Sequence, residues 1–200
     1  MKGNLRLLSG RKLFSPPGNL TRPTKAVVRE ALINILGDKI TNCHWLDLYS
    51  GSGIIGCEAI EKGAKTIVAI EKNRKVCKVC HLNLSTISNT SRQKIHIEVI
   101  NSSVNKFLER GFYYYSLDKN RESIFKNSRF QFVYIDPPYK DNSYFCVLEN
   151  LLLGDWVSKS SIAICEFSIN SPIDIPVSWI ELERKKYGDT GIILLNPNQA

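Results

Sequence analysis

From about residue 45 onward, short apolar segments alternate with segments whose apolar residues have helical spacing. The apolar segments predict five strands, at residues 45–50, 66–73, 94–100, 130–136 and 161–167. The intervening segments predict helices at residues 54–62, 74–85 and 143–153, with one more short helix after the third strand. Alternating strands and helices favour a parallel sheet covered by helices on both faces. We therefore predict an α/β fold.

Two further apolar segments lie close together near the C-terminal end, at residues 178–187 and 190–196. Gly188 and Asp189 separate them, and such a dipeptide is typical of a tight hairpin turn. The pair predicts an antiparallel hairpin that completes a seven-stranded, mostly parallel sheet.

The N-terminal segment has a different pattern. Residues 5–17 predict a hairpin that turns at Ser9 and Gly10, and residues 21–36 predict a helix with Pro23 in its first turn. The predicted apolar stripe of this helix comprises Val27, Val28, Ala31, Leu32, Ile35 and Leu36. We predict two domains, an N-terminal extension of residues 1–40 and a main domain of residues 41–200.

Basic charge is concentrated in the N-terminal segment. The chain has a net charge of +8, and residues 1–46, with eight basic and two acidic residues, carry +6 of it. A basic extension on a nearly neutral body favours a polyanionic partner, although a solvated basic surface is the simpler alternative. The predicted phosphate contacts are Arg11, Lys12, Arg22, Lys25 and Arg29, the last three spaced to share one helix face.

Neither a membrane span nor a secretory signal is recognisable, since no apolar run approaches roughly 18 residues. We therefore expect a cytoplasmic protein whose six cysteines are reduced. Cys77, Cys80 and His81 match the pattern for covalent haem attachment. They lie in a predicted helix, the single Met1 offers no plausible axial ligand, and no second C-x-x-C accompanies them for zinc. We expect no metal.

Residues 109–129 are polar, charged and aromatic without a clear period. They predict an irregular surface insertion. Its aromatic run, residues 112–115, could stack on nucleobases, but we predict that it packs against the domain.

A glycine-rich turn, "LDLYSGSGIIG" at residues 46–56, joins the first strand to its helix. Gly51, Gly53 and Gly56 allow a sharp turn and a close approach to a ligand at the helix N-terminus. Glu71 ends the second strand, where an acid can accept hydrogen bonds from a ribose. Both a nicotinamide dinucleotide and S-adenosylmethionine fit. Asp47 favours the latter, because its charge would repel a pyrophosphate; capping of the loop amides is its alternative role.

"DPPY", Asp136–Tyr139, follows the fourth strand, and ligands bind at the carboxyl ends of such strands. The prolines make a stiff turn, so the carboxylate of Asp136 and the carbonyl of Pro137 can each accept an N–H of a nucleobase amino group. The nitrogen lone pair then faces an electrophilic methyl group, and Tyr139 can stack on the base. A plain Asp-Pro turn is the alternative.

These motifs, together with "GRKL", "TRPTKAVVREALINIL" and "KKYGDT", resemble the RsmD family, which methylates N2 of a guanine in small-subunit ribosomal RNA. The resemblance implies a Rossmann-like class I methyltransferase fold, S-adenosyl-L-methionine as cofactor, and small-subunit ribosomal RNA or the assembling subunit as partner. We also expect a monomer. The implied catalytic residues are Asp136, Pro137, Pro138 and Tyr139. The implied cofactor residues are Asp47, Tyr49, Ser50, Gly51, Gly53, Glu71, Lys72, Ser102 and Ser103. Ser102 and Ser103 stand where the family often has an acid near the adenine amino group.

Four alternatives remain open from the sequence. An adenine-N6 DNA methyltransferase would use the same DPPY motif, although no DNA-recognition domain is visible. A protein-glutamine methyltransferase would more naturally have Asn in place of Asp136. A non-catalytic RNA-binding protein could retain the scaffold, and a dehydrogenase would leave the DPPY motif unexplained.

Overall fold

The structure is a computed structural model that describes residues 5–18, 23–126, 128–138, 143–171 and 173–198. The chain forms two compact units, Met1–Ser102 and Ser103–Ala200. The first unit contains α1 (Ala26–Leu36), β1 (His44–Leu48), α2 (Ile54–Glu61), β2 (Thr66–Glu71), α3 (Arg74–Ser88) and β3 (His96–Asn101). The second contains α4 (Val104–Leu108), α5 (Gly111–Ser116), α6 (Lys119–Phe125), β4 (Phe130–Ile135), α7 (Tyr144–Leu153), β5 (Val157–Ser168), β6 (Trp179–Tyr187) and β7 (Thr190–Pro197).

In the first unit, β2 lies between β1 and β3 and pairs in parallel with both. Every residue of β1 is buried, as expected for a strand covered on both faces. Asp47 lies opposite Ala69, and Glu71 lies opposite Asn101, so polar residues gather at the carboxyl ends of these strands.

In the second unit, β4 and β5 pair in parallel, β5 pairs antiparallel with β7, and β7 pairs antiparallel with β6. The seven strands, the parallel pairing and the antiparallel C-terminal hairpin confirm the predicted fold class. β5 begins at Val157, earlier than the apolar pattern predicted. Its first residues are largely polar, and a register shift between Phe130 and Phe132 of β4 accommodates them.

The prediction of irregular structure for residues 109–129 is wrong, because α5 and α6 form there. Phe112 and Tyr115 are buried in an aromatic cluster with Phe130 and Trp156, so the predicted packing of the aromatic run is confirmed for these two rings. It is wrong for Tyr113 and Tyr114, which are 67% and 72% exposed. This cluster lies at the amino ends of β4 and β5, whereas Asp136 follows the carboxyl end of β4. The insertion therefore supports the second unit from the end opposite to Asp136.

The predicted N-terminal hairpin is confirmed. An antiparallel bridge joins Arg6 to Lys12, and Gly10 takes the left-handed conformation that the turn needs (φ +84°). Helix α1 begins later than predicted, at Ala26, so Pro23 precedes the helix and does not lie in its first turn. Among the described residues, no helix is both long and apolar enough to cross a bilayer.

The predicted stripe of α1 needs a correction. Val28 and Leu32 are buried as expected, but Val27 is 52% exposed and Arg29 is only 5% exposed. The guanidinium of Arg29 forms an ion pair with Glu58 of α2, and Nε donates to the backbone carbonyl of Thr24 (3.2 Å). A charged group tolerates this burial because its donors are satisfied.

Candidate active site

The glycine-rich turn after β1 is built from unusual backbone conformations. Tyr49, Gly51 and Gly53 have φ values of +63°, +52° and +76°. The N–H of Ser50 donates to the carbonyl of Ile70 (3.0 Å), and the N–H of Gly53 donates to the carbonyl of Ser50 (2.8 Å). A tyrosine in the left-handed region is uncommon, and such strained residues cluster at ligand sites.

Two of the glycines also allow close packing. A Cβ atom added to Gly53 would lie 2.8 Å from Sγ of Cys80, and one added to Gly56 would lie 2.9 Å from Cδ2 of Leu84. Both neighbours belong to α3. The turn and α2 therefore approach α3 more closely than any larger residue permits.

We expect Gly53→Ala to lower the free energy of unfolding by about 3 kcal/mol, through backbone strain plus crowding against Cys80. Gly188 is a matched control, since it has φ +60° but no atom within 4 Å of the added Cβ. Gly188→Ala should therefore lower it by only about 1 kcal/mol. Urea denaturation of both variants measures the difference. Equal losses of unfolding free energy in the two variants would show that crowding against Cys80 contributes nothing.

Glu71 holds the glycine turn at the end of β2. Its carboxylate accepts from the N–H of Gly51 (3.1 Å) and from the N–H of Asn73 (2.7 Å). The amide of Asn101 donates to the backbone carbonyls of Glu71 and Lys72, both at 2.9 Å, and so ties β3 to this end of β2. Asn101 was not predicted as a site residue, because a polar residue after a strand has no distinctive pattern.

The serines after β3 offer no carboxylate. The N–H of Ser102 donates to the carbonyl of Glu71 (3.2 Å), and its side chain is half-buried. Ser103 and Lys72 are exposed, and Ser103 belongs to the second unit. The first unit thus brings together eight of the predicted cofactor residues at the carboxyl ends of β1, β2 and β3: Asp47, Tyr49, Ser50, Gly51, Gly53, Glu71, Lys72 and Ser102.

Asp47 is the most perturbed group of the site. It is 2% exposed, and its Oδ2 atom has no hydrogen-bond partner among the described residues. Burial raises the pKa of Asp47 to about 8, nearby Glu71 raises it further, and a hydrogen bond from the N–H of Gly56 opposes the shift. A cation beside this carboxylate would stabilise its charged form. The group therefore fits the amino end of a methionine-based cofactor.

The raised pKa predicts a pH-dependent effect of Asp47→Asn. Because the folded protein holds the Asp47 proton more tightly than the unfolded chain, this group's contribution to stability is greatest below pH 3.8 and falls as the pH rises towards about 8. Asp47→Asn should therefore raise the free energy of unfolding by roughly 2 kcal/mol at pH 8 and by less at pH 4.5. Urea denaturation at both values tests this, with exposed Asp38→Asn as the control; a pH-independent effect would contradict it.

Asn83 joins the glycine turn to the N-terminal segment. Its amide nitrogen donates to the carbonyls of Ser52 and Phe14, both at 2.9 Å, and its oxygen accepts from the N–H of Phe14 (2.8 Å). The side chain is fully buried. Within the helical pattern of α3 nothing distinguishes Asn83 from a surface residue, so the sequence did not reveal this role.

In the second unit, the DPPY motif begins where β4 ends. Asp136 is half-buried, Pro137 is buried and Pro138 is exposed. Tyr139 lies outside the described residues. Asp136 is thus a carboxylate at the carboxyl end of a strand whose preceding four residues, 132–135, are all buried. Pro137 and Pro138 contribute no backbone N–H donor at this strand end.

The predicted phosphate contacts differ in accessibility. Lys12 is exposed, Lys25 precedes α1 and is half-buried, and Arg22 lies outside the described residues. Arg11 is half-buried, and its guanidinium lies 3.4 Å from a carboxylate oxygen of Glu61.

The prediction that Arg29 contacts phosphates is wrong, because this side chain is buried against Glu58. Its charge is used inside the first unit, where an RNA backbone cannot reach it. Helical spacing alone placed it on the face of Lys25, but it could not reveal a buried partner on α2.

Comparison with known proteins places these features in a family. A Haemophilus influenzae protein named ribosomal RNA small subunit methyltransferase D is 29% identical over 191 residues, covering 94% of this chain and 91% of the relative. An Escherichia coli protein of the same name is 27% identical over 189 residues, covering 92% and 85%. The solved structure of the Escherichia coli protein yhhF has 26% identity and a TM-score of 0.78, with 99% of this chain and 100% of that chain covered. The family model described as "Conserved hypothetical protein 95" matches residues 5–196, so the chain belongs to this family, the RsmD family that its motifs resemble.

Proposed function

We propose that the protein transfers a methyl group from S-adenosylmethionine to N2 of a guanine in small-subunit ribosomal RNA. The observation that carries the proposal is the half-buried carboxylate of Asp136, followed by two prolines at the carboxyl end of β4. The relatives named ribosomal RNA small subunit methyltransferase D support ribosomal RNA as the substrate. We propose that the protein acts as a monomer on this RNA or on the assembling subunit.

The first unit supplies the cofactor contacts in this proposal. Asp47, whose buried Oδ2 atom has no hydrogen-bond partner in the part of the chain that the structure describes, would accept from the cofactor's amino group. Glu71 would accept from its ribose hydroxyls, and the turn at Gly51 and Gly53 would let the backbone approach it. When bound, S-adenosylmethionine supplies a methyl group made electrophilic by its attachment to a positively charged sulfur.

The second unit supplies the contacts to the target amino group. The carboxylate of Asp136 would accept one N–H of the guanine amino group, and the carbonyl of Pro137 would accept the other. These two hydrogen bonds would orient the nitrogen lone pair. They would also stabilise the positive charge that develops on nitrogen as the new N–C bond forms and the methyl carbon–sulfur bond breaks, leaving its electron pair on sulfur. The rigid prolines keep both acceptors in place before the base arrives. The nitrogen afterwards loses one proton to solvent.

Methylation of small subunits that lack the modification tests this proposal. We expect radiolabelled S-adenosylmethionine to label a single guanine at N2, identified by nuclease mapping and mass spectrometry. Calorimetry on the same preparation should show cofactor binding. Label on an adenine, or tight cofactor binding without any label in RNA, would refute the guanine assignment.

We also expect the N-terminal segment to contribute to RNA affinity. Substituting both Lys12→Ala and Lys25→Ala should weaken RNA binding about fivefold to tenfold and reduce the salt slope by about 0.7 for each lysine that contacts a phosphate. Filter binding across a salt series measures both. Exposed Lys65, which precedes β2 at the end opposite to Glu71, is the matched control. If Lys65→Ala reduces the slope equally, the N-terminal lysines have no special role.

A further inference from the structure

Glu166 of β5 is a buried acid to which the proposed chemistry assigns no role. It is 6% exposed and lies between β4 and β7 in the sheet of the second unit. Burying a carboxylate is costly unless hydrogen-bond donors surround it. The groups that donate hydrogen bonds to Glu166 therefore indicate which parts of the structure it holds in place.

One donor comes from the strand that leads into the DPPY motif. The hydroxyl of Tyr134 donates to the carboxylate of Glu166, and the ring of Tyr134 is 1% exposed. Tyr134 lies two residues before Asp136, and alternate residues along a strand face the same side of a sheet. A fixed Tyr134 therefore fixes the strand end from which Asp136 projects.

A second donor comes from the helix that follows the motif. Tyr144 is the first residue of α7, and its hydroxyl donates to the backbone carbonyl of Glu166 at 2.6 Å. Its side chain is 8% exposed. The same residue of β5 thus binds one tyrosine before and one tyrosine after Asp136, Pro137 and Pro138.

The strand register places Glu166 at the level of this motif. Ile135 is paired with Cys165 in the parallel β4–β5 ladder, and the next residues along the two strands are Asp136 and Glu166. Glu166 itself is held from the other side by pairing with Ile192 of β7. A residue fixed by two neighbouring strands is a firm anchor for a segment that must stay rigid.

We propose that Glu166 is a positioning residue for methyl transfer, which anchors the Asp136–Pro138 segment through Tyr134 and Tyr144. The inference rests on the proposed function of that segment. Glu166 does not need to touch the substrate. It limits the movement of the acceptors at Asp136 and Pro137, so that the target nitrogen is held in line with the methyl group. Loss of such alignment lowers the rate more than it lowers affinity.

The test compares Glu166→Gln, Glu166→Ala, Tyr134→Phe and Tyr144→Phe in the full chain. Single-turnover methylation at saturating RNA should fall about tenfold in each tyrosine variant. The loss in Glu166→Ala should match that of Tyr134→Phe, because the backbone carbonyl that accepts from Tyr144 remains. Glu166→Gln retains an acceptor oxygen and should recover much of that loss. The apparent affinities for RNA and for S-adenosylmethionine should change less than threefold. Glu149→Gln is the matched control, since this α7 carboxylate also accepts from a hydroxyl, that of Ser178, and its rate should not change.

Amide hydrogen exchange provides a readout that does not depend on methylation. In Glu166→Ala, the peptide covering residues 131–150 should exchange at least about tenfold faster, whereas the peptide covering residues 66–88 should not change. Wild-type rates in Glu166→Ala with unchanged exchange would overturn the proposal, as would equal losses of rate in the Gln and Ala variants. If the wild-type protein binds cofactor but methylates no RNA, the proposed function fails, and exchange still decides whether Glu166 anchors the segment.

Discussion

Replacing Asp136 with alanine is expected to lower the rate of methyl transfer by about a thousandfold while leaving the affinity for S-adenosylmethionine nearly unchanged. In the proposed mechanism the carboxylate acts on the target amino group, whereas the proposed cofactor contacts belong to β1, β2 and β3. Removing it would abolish one of the two acceptors that we propose to orient the nucleophile and stabilise its developing charge. Single-turnover methylation and calorimetry measure the two effects separately.

Two further variants sharpen this prediction. Asp136→Asn retains an acceptor oxygen but loses the charge, so its rate should lie between those of the wild type and Asp136→Ala. Asp174→Ala removes an exposed carboxylate elsewhere in the second unit and should not change the rate. If Asp136→Ala were to lose cofactor binding in proportion to activity, or to keep its activity, the role assigned to the carboxylate would be wrong.

Replacing Glu58 with alanine is expected to lower the free energy of unfolding by about 3–5 kcal/mol. Glu58 is the buried partner of Arg29, and its carboxylate also accepts from the N–H of Leu8 at 3.0 Å. Removing Glu58 would leave the guanidinium of Arg29 buried without this compensating charge. Urea denaturation of the variant and the wild type measures the loss.

A double substitution and a surface pair serve as controls. Glu58→Ala combined with Arg29→Met removes both charges and should be more stable than Glu58→Ala alone, because no uncompensated charge remains. Glu61→Ala disrupts the more exposed pair with Arg11 and should cost less than about 1 kcal/mol. A Glu58→Ala variant no less stable than Glu61→Ala would show that the buried pair contributes little.

The parts of the fold that follow local patterns could be predicted from the sequence. The apolar strand segments, the helices between them and the Gly188 turn all depend on residues close together in the chain. The glycine turn and Asp136 were recognisable because a strand end, a glycine spacing or a pair of prolines restricts the local backbone. Their positions at the carboxyl ends of β1 and β4 follow from those restrictions.

The features that the sequence did not reveal depend on partners distant in the chain. Arg29 is buried because it pairs with Glu58, which is 29 residues away in the chain. Asn83 accepts a hydrogen bond from the backbone of Phe14, which is 69 residues away. Glu166 similarly contacts Tyr134, 32 residues before it. Residues 109–129 lack a clear apolar period because they form two short helices, whose buried rings Phe112 and Tyr115 pack against the distant Trp156. No local pattern contains this information.

The buried amide of Asn83 has a practical consequence for testing the proposed binding of RNA separately from the proposed binding of cofactor. A shortened protein that begins after Phe14 would lose two of the hydrogen bonds of Asn83 and also the donor that Leu8 gives to Glu58. Such a truncation would disturb the glycine-rich turn at Ser52, which Asn83 contacts, as well as any binding of nucleic acid by the N-terminal segment. Point substitutions of Lys12 and Lys25 are therefore better suited than truncation to separate RNA binding from cofactor binding.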